Sequence, residues 1–139
     1  MAQSIRDVMT PNPTAMPAMA TISDAARAMR DTDIGAIVVL NQNQVCGIVT
    51  DRDIVVRAIA EGREPSNTSL ADICSQDIIT LSPSDSVEDA KKLMADRAIR
   101  RIPVVEGGRP VGIVSLGDLA VEGDEGSALE DISAAPPNR

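Results

Sequence analysis

Gly35-Ala36-Ile37-Val38-Val39-Leu40 is a near-continuous apolar run of strand length. That pattern fits a strand buried on both faces. Asn41-Gln42-Asn43 reads as a hairpin turn, and Gln44 to Val49 as the returning strand. Upstream, Ile22, Ala25, Ala26 and Met29 recur at helical spacing behind a capping Thr21, which predicts a helix to about Asp31. Ser4 to Met9 reads as a short capped helix stopped by Thr10-Pro11-Asn12-Pro13, because proline cannot continue it. Thr14-Ala15-Met16 is a brief extended segment. Thr50 opens a helix carrying Ile54, Val55, Ala58 and Ile59.

The same order then repeats. The glycines of Gly47-Ile48-Val49 and Gly112-Ile113-Val114 are 112 − 47 = 65 residues apart, and that offset aligns most of the chain without a gap. Ser4-Ile5-Arg6-Asp7-Val8 falls on Ser69-Leu70-Ala71-Asp72-Ile73, and Ile34, Ile37 and Val39 fall on Ile99, Ile102 and Val104. Ile78-Ile79-Thr80 is the expected brief strand of the second copy, Ser86 to about Arg97 its helix, and Arg101–Val105 with Pro110–Val114 its hairpin. Each copy thus reads helix–β–α–β–β–α, an α+β fold in two βαββα repeats. A long period of this kind marks two supersecondary units, neither of which buries its apolar face alone. The expected division is 4–60 and 69–122, joined by a polar linker 61–68 and followed by an acidic, then Ala/Pro-rich tail 123–139.

Each return strand ends in Gly-apolar-apolar-hydroxyl-x-x-Asp: Thr50 with Asp53, and Ser115 with Asp118. The hydroxyl sits where an N-cap belongs and can accept from the first free backbone N–H groups. The helix start suits a phosphate, and the carboxylate one turn in can accept from two vicinal ribose hydroxyls. The plainer reading is a capping box. Ser4/Asp7, Thr21/Asp24, Ser69/Asp72 and Ser86/Asp89 have the same spacing, although none of these four follows glycine and an apolar strand. Both readings stand at this point.

Composition narrows the chemistry. The 43% apolar share supports a core, but Phe, Trp and Tyr are absent, so the core is aliphatic and no base can stack on a ring. With no His, the usual neutral-pH acid/base and the commonest metal ligand are missing. No metal-ligand cluster or nucleophile–base pair is visible, so an enzyme is not expected. A net charge of −8 with dispersed basic residues argues against nucleic acid as the main partner. No apolar run approaches the roughly 20 residues that span a bilayer, and the start shows no signal-peptide pattern. The expected location is the cytoplasm. Cys46 and Cys74 fall on Val111 and Met9 in the repeat, so both read as structural.

The repeated motif, with Ala98-Ile99-Arg100-Arg101-Ile102-Pro103-Val104, resembles the CBS domain, and two in tandem resemble a CBS pair, or Bateman module, over about residues 4–122. The resemblance implies two repeats packed sheet to sheet about a pseudo-two-fold axis, with an adenosyl ligand (AMP, ADP, ATP or S-adenosylmethionine) in the cleft. It implies one site using Ser115 and Asp118, with Thr10, Ala15 and the backbone of Ile34-Gly35-Ala36 at the adenine. A second site would use Thr50 and Asp53 with Thr80, Ile99 and Arg100, and Arg100 and Arg101 lie where a basic residue often stands near the phosphates. Their plainer reading is a solvated strand edge. Copy one departs: Gly35-Ala36 stand where copy two has Arg100-Arg101, and Asp51 adds negative charge beside Thr50, or pairs locally with Arg52. Unequal sites are therefore expected.

The resemblance implies no catalytic residue and no cofactor beyond such a regulatory ligand. It also implies a homodimer, for which Ile22, Met29, Val55, Ile59, Val87, Met94 and Leu119 are the expected apolar surface. The leading expectation is a regulatory ligand-sensing module that signals to an effector protein. The alternative is a structural or interaction module whose cleft is vestigial.

Overall fold

In the computed structural model, which describes residues 3–74 and 78–123, the two repeated patterns become two sets of short elements. The first repeat forms α1 (Ile5–Val8), β1 (Thr10–Pro11), β2 (Ala15–Pro17), α2 (Ile22–Thr32), β3 (Ala36–Asn41) and β4 (Gln44–Thr50). It ends in α3 (Asp51–Asp53), which continues as a π-helix over Ile54–Ile59. A 3-10 turn, Pro65–Asn67, leads to the second repeat: α4 (Leu70–Ile73), α5 (Val87–Arg97), β5 (Arg101–Glu106), β6 (Arg109–Ser115) and α6 (Leu116–Gly123). Two three-stranded sheets, β2-β3-β4 and β1-β6-β5, make the fold α+β.

The chain folds into two compact units, and these exchange their leading helices. One unit takes the residues up to Pro13 together with those from Ile79 onward, while the other takes 14–78. A four-residue helix cannot persist alone, so each docks. In the 14–78 unit, Leu70 and Ala71 donate their N–H groups to Ala20 O (2.9 Å) and Ala18 O (3.0 Å), and Ile22 N–H donates to Thr68 O (2.9 Å). Leu70 and Ile73 join Ile22, Met29, Ile37, Val39, Val49 and Ile54 in its core.

In the other unit the same bonds recur at the repeat offset. Ile5 N–H donates to Asp85 O (2.8 Å), Arg6 N–H to Pro83 O (3.0 Å) and Val87 N–H to Gln3 O (3.0 Å). Ile5 there joins Val87, Met94, Ile102, Val104, Val114 and Leu119. Burying such a side chain is worth about 1.5–3 kcal/mol.

Both hairpins close on two residues with positive φ: Gln42 (53°) with Asn43 (65°), and Gly107 (61°) with Gly108 (81°). Two left-handed residues match the twist of the flanking strands. Asn41 pairs with Gln44 and Glu106 with Arg109.

The structure corrects the sequence reading at four places. Thr10-Pro11 does more than stop a helix: it pairs antiparallel with Ile113 and Gly112 as an edge strand, where proline is tolerated.

Residues 78–80 form no strand, and only Leu81 bridges Val104. In copy one, Val38 N–H donates to Thr14 O (2.9 Å) and Ala18 N–H to Leu40 O (2.8 Å). The corresponding positions in copy two are Pro103 and Pro83, which have no N–H to give. Only Leu81 N–H to Pro103 O (3.1 Å) and Val105 N–H to Leu81 O (2.8 Å) remain.

The helix after Thr50 is largely π rather than α, with Ala60 N–H donating to Val55 O at 2.8 Å. Finally, five of the seven expected surface apolar residues (Ile22, Met29, Val87, Met94 and Leu119) are buried in the two cores. Only Val55 and Ile59, 58% and 54% exposed, lie open, with Val56 beside them. The short helices turn their apolar stripes onto their own sheets, which the helical period alone could not tell from an outer face. Among the described residues no helix is long and apolar enough to cross a membrane.

Candidate functional site

The two hydroxyl–carboxylate motifs form at the ends of β4 and β6, where the chain turns from strand to helix. Ser115 N–H donates to Asp118 Oδ2 (2.9 Å), and Asp118 N–H donates back to Ser115 Oγ (3.1 Å). Thr50 and Asp53 repeat both distances, 2.9 Å and 3.1 Å. Each motif is therefore a reciprocal capping box, as the plainer reading requires. The same pairing holds at Thr21 and Asp24. Capping geometry alone does not make a site, so the surroundings decide.

Around Ser115 the surroundings are cationic. Arg101 lies directly across from Ser115 in the β5–β6 ladder, and Leu116 N–H donates to Arg100 O at 2.8 Å. Neither guanidinium has a hydrogen bond or ion pair among the described residues; Arg100 is exposed and Arg101 half-buried. Asp118 spends Oδ2 on the cap, and its Oδ1 has no partner among the described residues. Thr10 is exposed on β1 opposite Ile113, and Thr80 is also exposed. Ile99 is half-buried, its N–H held by Met94 O at 3.1 Å. Met94, Ile99, Leu116, Lys91 and Arg100 help line a shallow groove of about 390 Å³.

Around Thr50 the surroundings differ. Ala36 lies across from Thr50, where the other motif has Arg101. Asp51 N–H donates to Gly35 O at 3.0 Å, matching Leu116 on Arg100, and Ile34 N–H is held by Met29 O at 3.1 Å. Ala15 pairs with Val38. Asp51 Oδ1 accepts from Arg52 N–H at 2.8 Å, so the expected local pairing is made by the backbone. Asp53 Oδ1 faces Arg57 Nε at 3.8 Å, and Arg57 also donates to Ile73 O at 3.3 Å. Sequence reasoning missed Arg57, although its i,i+4 spacing from Asp53 was a usable signal.

Of the residues expected at the sites, Thr10, Thr80, Ile99, Arg100, Arg101, Ser115 and Asp118 belong to one unit. Ala15, Ile34, Gly35, Ala36, Thr50 and Asp53 belong to the other. Each expected ligand set takes residues from both units. Cys74 is buried and Cys46 packs against the same core; burial raises both thiol pKa values, and for Cys74 the nearby Cys46 adds to the shift. Neither is poised as a thiolate nucleophile.

Two matching α+β units, each turning from strand to helix through a hydroxyl–carboxylate cap, define a tandem-repeat module. The chain belongs to the CBS-domain family: the family model matches residues 5–59 and 70–123. It is 41% identical over 134 residues to the CBS domain-containing protein YhcV of Bacillus subtilis, covering 94% of this chain and 95% of that one. It is 30% identical over 130 residues to Hypoxic response protein 1 of Mycobacterium tuberculosis, covering 93% and 91%. Among solved structures, it resembles the hexameric CBS-CP12 protein from bloom-forming cyanobacteria, with TM-score 0.80 and 29% identity over 89% of this chain and 74% of that one. It also resembles Hypoxic Response Protein I with two coordinated zinc ions, with TM-score 0.77 and 30% identity over 86% and 98%.

Proposed function

We propose that the chain is a regulatory module that binds an adenosyl ligand (AMP, ADP, ATP or S-adenosylmethionine) and signals to a protein partner. One observation carries this reading: Asp118 Oδ1 is unspent among the described residues, and Arg101, which makes no ion pair among them, stands across the ladder from Ser115 at the same strand end. A carboxylate oxygen suits ribose hydroxyls and guanidinium groups suit phosphate, so one strand end offers both halves of a nucleoside phosphate its complement. The ligand acts by its differential affinity for two arrangements of the module. The module works as a homodimer through Val55, Val56 and Ile59, which stand exposed along one helix; the hexameric CBS-CP12 relative supports assembly of this kind.

Calorimetric titration tests the site. Asp118→Ala should weaken binding by about 1.5–3 kcal/mol, the range for hydrogen bonds to a charged group. Asp89→Ala, at the same spacing behind Ser86 but following no strand, should leave affinity unchanged. If both variants bind AMP and ATP as the parent does, the site assignment fails.

A second reading has its own support. The Thr21–Asp24 cap makes the same reciprocal pairing, though with its N-cap amide at 3.5 Å, and has no expected ligand role. On that reading the module is structural and binds no nucleotide. A melting scan separates the two, since ligand at 100 times its Kd adds about 2.7 kcal/mol of stability.

A further inference from the structure

The two motifs share a cap and differ in the fate of one oxygen atom. Asp118 Oδ1 has no partner among the described residues, whereas Asp53 Oδ1 faces the Arg57 guanidinium. We propose that Arg57 occupies the ribose-accepting oxygen of Asp53 and so holds the Thr50 motif closed, leaving the Ser115 motif to load first. This deepens, and rests on, the adenosyl-binding reading above.

Three observations support it. Arg57 is held at two points, by Asp53 Oδ1 (3.8 Å to Nε) and by Ile73 O (3.3 Å) at the C-terminal end of α4. A cation is favoured there, because the last carbonyls of a helix lack partners and carry partial negative charge. The repeat offset places Glu122 where copy one has Arg57 (57 + 65 = 122), so the sequence puts an acid rather than a base four positions after the second aspartate. Finally, the fold contains a precedent. Asp24 donates nothing to a ligand role, and its Oδ1 is taken by Arg27 at 2.6 Å while Oδ2 faces the Thr21 N–H. A capping aspartate with an arginine one turn on is, in this chain, a closed structural pair.

The alternative role for Arg57 is a direct phosphate contact, replacing the arginines that copy one lacks at its second strand. The phosphate role predicts weaker AMP binding without Arg57 and no change for a ligand that lacks phosphate, whereas the closed-pair role predicts tighter binding of that ligand. Adenosine offers the ribose hydroxyls alone. The titrations use the full chain in the Asp118→Ala background, so that the Ser115 motif is weakened and the Thr50 motif dominates. Adding Arg57→Ala should tighten adenosine binding about three- to fivefold, the scale at which a half-exposed ion pair shifts an equilibrium. Arg57→Met, which keeps the aliphatic stem and loses only the guanidinium, should do the same, while Arg57→Lys should bind as the Asp118→Ala background does. Unchanged or weaker adenosine binding in both neutral variants overturns the proposal. If the parent binds AMP but these variants gain nothing, only the role of Arg57 fails. If the parent binds neither AMP nor adenosine, the adenosyl reading fails and takes this one with it.

Discussion

Gly112 lies on β6 three residues before Ser115, opposite Pro11 of β1 and Val104 of β5. A Cβ added there would press against Met9 Sδ and stand 2.9 Å from Met9 Cγ and 3.0 Å from the Thr10 carbonyl oxygen. These contacts respond differently. The Met9 side chain is flexible and can swing, at the cost of its packing against the core of its unit. The Thr10 oxygen is backbone, pinned by the pairing of Thr10 with Ile113. Overpacking of this kind costs about 1–3 kcal/mol. At roughly 3–4 °C per kcal/mol for a chain of this length, Gly112→Ala should melt about 3–12 °C below the parent. A double-mutant cycle with Met9→Ala locates the cost: if Met9 is the obstacle, the two changes cost less together than their sum, by at least about 0.5 kcal/mol. What remains after Met9 is truncated measures the Thr10 contact. A Gly112→Ala protein that melts with the parent, or a cycle with no coupling, would refute the close-approach reasoning.

Pro103→Val supplies the N–H that copy one has at Val38. The gained hydrogen bond, about 0.5–1.5 kcal/mol, is offset by the lost proline constraint, about 0.4–1 kcal/mol. Stability should thus barely move, while hydrogen exchange should show a newly protected amide at position 103. The hydroxyl and amide of Thr21, with Arg27, hold the Asp24 carboxyl below the usual carboxylate range. A folded value below the unfolded one, about 3.9, gives stability that is present above that pH and lost as pH falls through the folded value. Asp24→Asn should therefore flatten the acid side of the stability curve in urea melts across that range, and a variant that keeps the parent's slope would sink this reading. Val55→Asp with Ile59→Asp should convert a dimer to a monomer in light scattering without lowering the melt of either core, since both side chains are more than half exposed; a dimer that survives both changes places the interface elsewhere.

The repeat, the hairpins and the capping residues were legible because each rests on local rules: periodicity, hydroxyl caps and turn chemistry act over a few residues. What depended on partners was not. Thr10-Pro11 becomes a strand only because β6 presents an open edge to it. The missing strand at 78–80 could have been read, since Pro83 and Pro103 withhold two donors, but only once Ala18 and Val38 are known to spend theirs on the equivalent pairing. The exchange of α1 and α4 left no trace in the gapless alignment, because a 65-residue offset is preserved whichever unit each helix docks on. The buried faces of α2 and α5 and the exposed face beyond α3 carry the same apolar spacing, and only the placement of each helix on its sheet tells them apart.

The motifs themselves were found for a reason that does not by itself establish function. Thr50 and Ser115 carry the same reciprocal cap as Thr21, and a helix start needs that cap whether or not a ligand arrives. The cap fixes each carboxylate through one oxygen and leaves the other to the surroundings. Arg27 takes it at Asp24, at 2.6 Å, and Arg57 faces it at Asp53, at 3.8 Å. At Asp118 it has no partner among the described residues. Asp7 and Asp72 open four-residue helices that no strand feeds. Of the two pairs that follow glycine and an apolar strand, the second oxygen separates Asp118 from Asp53 where the Ser/Thr-x-x-Asp spacing could not. At the turn from strand to helix the two repeats share the cap, and they differ in whether a guanidinium faces the carboxylate's other oxygen.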